Sequence, residues 1–146
     1  MAMLCADEYP HLDMDKVIRM CLIHDFGETV TGDIPAFLKT EEHEQAEKEA
    51  VDALLQKLPP EIQGEFSSLF KEMQAMQTEE AKLYKALDNM EAVLSHNEAP
   101  ISTWLPREYE ENLTYGQENA AFSPWTKQLR KALRQDSVKK IQKESI

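Results

Sequence analysis

The chain has 146 residues, 42% of them hydrophobic and 8% aromatic, with only 4 glycines, which suits one core of ordinary size, argues against a second domain and fits a helix-rich chain better than a turn-rich β architecture. Its formal net charge of −11 sets the body of the protein against polymeric nucleic acid. No apolar run approaches the ~20 residues that cross a bilayer, and no basic segment follows Met1 as in a secretory signal, so the expectation is a cytoplasmic protein without a membrane partner.

Residues 1–8 read as the end of a helix whose beginning is absent, since no cap precedes Met3, Leu4 and Cys5 and Pro10 follows soon after. Asp13 can cap the next helix, with Leu12 and Val17 placed for a hydrophobic staple. Val17, Ile18, Met20, Cys21, Leu22 and Ile23 make this helix apolar almost all round. The first element should pack beside it as an antiparallel neighbour. The helix should stop near Phe26 and Gly27, and residues 29–39, with Gly32 and Pro35, read as a loop. Cys5 and Cys21 lie in apolar runs without metal-type spacing and read as reduced core thiols.

Thr40 is the expected cap of a third helix, with Glu41, Glu42 and Glu44 in its first turn and Ala50, Leu54 and Leu58 facing inward. Pro59 and Pro60 end it. Residues 61–76 carry Ile62, Phe66, Leu69, Phe70 and Met73 at helical spacing. Thr78 then caps a helix over 79–96, with Leu83, Leu87, Met90 and Leu94 as its buried stripe. Residues 97–124, with Pro100 and Pro106, should wrap the body, Trp104, Leu105 and Tyr109 covering either the core or an interface. The last helix begins near Trp125, in a stretch where 7 Lys/Arg outnumber 2 Asp/Glu from Ser123 onward. Lys127, Arg130, Lys131, Arg134, Lys139, Lys140 and Lys143 could form a basic phosphate-binding face, but a solvated surface helix with a frayed tail is the commoner outcome. The chain thus divides into a core (about 1–96), a wrapping segment (about 97–124) and a basic helix with its tail (about 125–146) of a single domain.

The unusual feature is His24-Asp25 at the close of an apolar helix. Adjacent helical residues point about 100° apart, so they converge on one ion only in a groove or beyond a helix end. The bland reading is a helix-terminal histidine beside a solvated aspartate. Glu28, one turn on, and Asp33, in a Gly-Asp turn, crowd four ionisable groups together, an arrangement that favours a cation. Asp88 interrupts the later apolar helix.

These residues carry a family resemblance. His24-Asp25, Glu28, the "TGDIP" loop at 31–35 and "KALDNMEAVLSHNEA" at 85–99 resemble the HD-domain metal-dependent phosphohydrolases, most closely the branch related to 5′-deoxynucleotidases. The resemblance implies an all-α orthogonal helical bundle, usually a homodimer, holding a divalent metal (Mn2+, Co2+, Mg2+, Zn2+ or Fe2+). It makes His24, Asp25 and Asp88 metal ligands, Glu28 the group that activates water, and Asp33 a substrate contact. The family's first histidine would lie one to two turns before Met1. His11, His43 and His96 do not replace it, so the site of this chain reads as incomplete and the chain as weakly active or inactive by itself. Thr29, where alarmone hydrolases of the superfamily carry an acidic residue, weakens that comparison. The implied function is release of phosphate from a deoxyribonucleoside 5′-monophosphate or a related small phosphorylated compound. A non-catalytic helical interaction module with a degenerate fold is the alternative.

Overall fold

The computed structural model describes residues 1–35 and 38–144, so residues 36 and 37 of the expected loop and the tail at 145–146 lie outside the described residues. Among the described residues every regular element is helical. In order they are a 3₁₀ helix Ala2–Glu8, α1 Met14–Ile23, α2 Glu28–Thr31, α3 Glu41–Leu55, α4 Pro60–Ala75, α5 Glu79–Glu98, a 3₁₀ turn Ile101–Thr103, α6 Glu108–Thr114, α7 Gln117–Ala120 and α8 Pro124–Glu144.

The caps follow local chemistry. The side chain of Asp13 accepts a hydrogen bond from the Lys16 backbone N–H, and Thr78 does the same for Ala81. Thr40 and His43 bond each other's backbone N–H groups in a reciprocal capping box. Each cap satisfies a donor that the first turn leaves free, worth about 1 kcal/mol. Pro60 opens α4, where its missing N–H costs nothing.

α5 is the central element, packed by α1, α4, α7 and α8. Its Leu83, Met90 and Val93 are fully enclosed together with Val17 and Met20 of α1, and each such side chain contributes roughly 1.5–3 kcal/mol of burial. The 3₁₀ helix packs on α1 as expected, through the buried Cys5, while Met3 and Leu4 project into solvent.

Several expectations are corrected. Leu22, expected in an all-round apolar helix, is 78% exposed; only Val17 and Met20 of α1 are buried, because α5 and α4 cover one side of it. Ile62 is likewise exposed. On α3 the inward set is Ala50, Val51 and Leu55, with Leu54 and Leu58 half-buried. Leu94 is half-buried too, and α5 runs two residues further than expected. Gly27 is not a left-handed stop: its backbone is right-handed helical, at φ −64° and ψ −35°. It is small for a different reason, since a Cβ there would lie 2.8 Å from the Glu47 backbone oxygen and 3.0 Å from Val51. This close approach seats α2 against α3. Part of the expected loop is therefore the single turn α2, which ends at Gly32, φ +80°. The wrapping segment contains α6 and α7, and Trp104 is turned inward, its Nε1 donating to the His96 carbonyl. Arg130 is 4% exposed and so no part of a surface basic face; it donates to the carbonyls of Tyr115 and Asn112.

Candidate active site

α1 ends at Ile23, and His24 follows with its backbone still right-handed helical, at φ −57° and ψ −36°, its side chain meeting α5. There Nε2 of His24 lies 3.1 Å from Oδ1 of Asp25 and 3.1 Å from Oδ1 of Asp88. Nδ1 of His24 donates to the Cys21 carbonyl at 2.8 Å, which fixes the ring and leaves Nε2 facing the two carboxylates. Lys85, one turn before Asp88, donates to its Oδ2 at 2.8 Å.

The electrostatics follow from this contact. The hydrogen bond to Asp88, with the charges of Asp88 and Asp25, raises the His24 pKa despite burial. Burial works to raise that of Asp88, but its partners His24 and Lys85 outweigh it and bring the carboxyl down to about 2. Asp25 moves up, because burial and the neighbouring Asp88 outweigh His24. His24 is thus held between two carboxylates that favour its charged form, with Asp88 its stronger partner.

The same cavity, about 690 Å³, is lined by Glu28, Asp33, Lys39, Glu47, Tyr84 and Lys85, and also by His96, Glu108, Asn112 and Tyr115. Glu28, the first residue of α2, receives Lys39 on Oε1 at 3.1 Å, and Lys39 reaches Glu47 of α3 at 2.8 Å. Burial raises the Glu28 pKa, with Lys39 opposing it in part. Asp33 follows Gly32 at the cavity edge and is exposed.

Of the residues expected at the site, the structure brings His24, Asp25 and Asp88 into contact and sets Glu28 and Asp33 on the same cavity wall. Lys39 was missed, although it and Lys48 are the only Lys/Arg between Arg19 and Lys57, and a rare cation in an acidic stretch is a legible signal. Lys85 and Asn112 were also passed over. Asn112 is 2% exposed and its Nδ2 has no partner, although Oδ1 accepts from Nδ1 of His96 at 2.8 Å. Leaving a buried donor unpaired costs about 1–3 kcal/mol.

Nine Asp and Glu side chains line the cavity against two lysines and two histidines. A phosphate dianion entering so acidic a space would be repelled unless a cation screened it. Among the described residues no group of three His, Cys, Asp or Glu side chains is spaced to hold a metal ion, since the His24–aspartate separations are those of hydrogen bonds. The donor set nonetheless fits a divalent cation. One imidazole nitrogen with its tautomer fixed from behind faces two carboxylate oxygens, and a cation replacing the Nε2 proton would satisfy all three.

The HD domain family model matches residues 1–145 of the chain. The chain is 39% identical over 100 residues to the 5′-deoxynucleotidase HDDC2 of Bos taurus, covering 67% of this chain and 48% of the relative. It is 41% identical over 96 residues to that of Xenopus laevis, covering 64% and 47%. The chain spans about half the length of the curated relatives it matches. A crystal structure described as a predicted metal-dependent phosphohydrolase from Magnetospirillum magnetotacticum MS-1 superposes with a TM-score of 0.76 at 30% identity, covering 96% of this chain and 72% of that one.

Proposed function

The chain belongs to the HD domain family, and on that premise we propose that it is a metal-dependent phosphohydrolase releasing phosphate from deoxyribonucleoside 5′-monophosphates. The observation that carries this reading is the convergence of His24, Asp25 and Asp88 on one side of a cavity that also presents Glu28. The names of the relatives support it and favour it over a non-catalytic interaction module.

His24, Asp25 and Asp88 would hold the divalent cation. When bound, such an ion polarises a phosphoryl group and lowers the pKa of its water toward ~7. Lys39 holds one oxygen of Glu28, and the other is left to orient the attacking water and take its proton, a role suited to a carboxylate whose pKa burial has raised. Lys85 fixes the second oxygen of Asp88 and so the direction in which its first oxygen points. Asp33, set beyond the left-handed Gly32 at the cavity edge, would accept a hydrogen bond from the sugar. No helix among the described residues is long and apolar enough to cross a membrane. A helix-mediated homodimer is proposed as well, supported by the exposed Met3, Leu4 and Leu22.

The test is phosphate release from deoxyribonucleoside 5′-monophosphates with added Mn2+ or Co2+. The reading requires activity that is lost on chelation and restored by the metal. Activity indifferent to chelation would contradict it.

A further inference from the structure

Glu28 needs a fixed place if it is to activate water, and its own helix cannot supply one. α2, Glu28–Thr31, is a single turn, and one turn is not stable by its own hydrogen bonds. The support comes from α3. On one side, Gly27 lies so close to that helix that a Cβ there would stand 2.8 Å from both Cγ and the backbone oxygen of Glu47. On the other, Nζ of Lys39 donates to Oε1 of Glu28 at 3.1 Å and lies 2.8 Å from Oε2 of Glu47. One residue of α3 thus meets the start of α2 twice, through its stem and, by way of Lys39, through its carboxylate.

Lys39 alone would make a poor clamp. Ordering its long stem costs up to about 2 kcal/mol, and a single exposed ion pair returns only ~0–1 kcal/mol. A second carboxylate changes that balance. Glu47 stands in the middle of α3, Glu41–Leu55, so its backbone is fixed on both sides. The side chains of Glu28, Lys39 and Glu47 are 16%, 25% and 21% exposed, and at such burial solvent and salt screen the charges only weakly. Burial works to lower the Lys39 pKa, but the hydrogen bonds and charges of Glu47 and then of Glu28 outweigh it and raise it. Glu47 is therefore both the nearer and the stronger partner of the ammonium, and Lys39 is its only ion-pair partner among the described residues.

We propose that Glu47 is a positioning residue for Glu28: its carboxylate anchors the Lys39 ammonium, which holds Oε1 of Glu28 and leaves Oε2 for the attacking water. The assignment rests on the reading of Glu28 as the group that activates water. Glu47 acts only through Lys39.

That last condition makes the role measurable. Glu47→Leu keeps a stem against Gly27 but removes the acceptor, and it should lower turnover about tenfold, the scale of a misplaced reacting group, with KM and Mn2+ affinity within about twofold. Glu47→Gln, which retains one acceptor oxygen, should lose less. Lys39→Met should lose at least as much as Glu47→Leu, and the two changes together no more than Lys39→Met alone. If Glu47→Leu loses its helical spectrum, Glu47→Gln takes its place in every comparison. A readout without catalysis separates this role from the hydrolase reading. In metal-free protein carrying carbon-13 in its glutamate carboxyls, the Glu28 resonance, identified by its loss in Glu28→Gln, should move in Glu47→Leu and in Lys39→Met. A Glu28 resonance unmoved by Glu47→Leu, or losses that multiply in the double variant, overturn the positioning role even if the protein hydrolyses nucleotides. A resonance that moves in a protein releasing no phosphate leaves the hold on Glu28 standing and removes the hydrolase.

Discussion

Asp88→Asn tests whether the His24–Asp88 contact holds the end of α1 against α5. The carboxyl of Asp88, 24% exposed, sits at about 2 against an ordinary 3.8. At about 1.36 kcal/mol per pKa unit, the folded state therefore favours its charged form by roughly 2 kcal/mol. Because this folded pKa is depressed, the stabilisation is present above the unfolded value and disappears as pH falls through about 2. His24 titrates in the opposite sense. Its folded pKa is raised, so its contribution is complete below about 6.5 and fades as pH rises through the folded value. The two shifts describe one pair and do not add. Near pH 5.5 both groups are charged, and there Asp88→Asn should cost about 2 kcal/mol, or about 4–8 °C in melting temperature for a chain of this length. Urea unfolding in the presence of a chelator, followed by circular dichroism, reads the difference. The parent protein should lose stability as pH rises above about 6.5 and through the raised value of His24, and the variant should lose less over that rise. A variant as stable as the parent near pH 5.5, or one that declines as steeply over that rise, would refute the reasoning.

Glu28→Gln should lower turnover about 10²-fold or more while Mn2+ affinity, read by calorimetry, stays within about twofold, because the amide keeps the shape but cannot take a proton. Asp33→Ala should weaken nucleotide turnover far more than metal affinity; equal losses would make Asp33 part of the metal site or its support. Gly27→Ala sets a methyl 2.8 Å from the Glu47 backbone oxygen, and the displaced packing of α2 on α3 should cost about 1–3 kcal/mol in urea unfolding.

The caps at Asp13, Thr40 and Thr78 were legible because each acts within one turn of its own helix. The stripe on α5 was legible for the same reason: the helical repeat is written in adjacent residues. Leu22 was not, because its apolar character says nothing about whether a neighbour covers it. Gly27 was misread since a glycine that permits close approach and one that permits a left-handed turn are the same letter; only the proximity of Glu47 and Val51 separates them. α6 and α7 are too short to show a repeat and depend on contacts with α8 and α5. At the site, His24, Asp25 and Asp88 were found through a motif, but their contact depends on the packing of α1 on α5, which no local spacing records. Lys39 pairs with Glu28 and Glu47 across 11 and 8 residues of chain, separations at which sequence carries no spatial information.

The central claim is that His24, Asp25 and Asp88 hold a divalent cation, and Mn2+ titrated into isotopically labelled protein tests it most directly. Paramagnetic broadening should begin at His24, Asp25 and Asp88, spread next to Glu28 and Tyr84, and require about tenfold or more additional Mn2+ in the Asp88→Asn protein, since a neutral amide is a far poorer ligand for a hard cation. Broadening that starts elsewhere among the acidic side chains, or that is the same in the Asp88→Asn protein, would contradict the account.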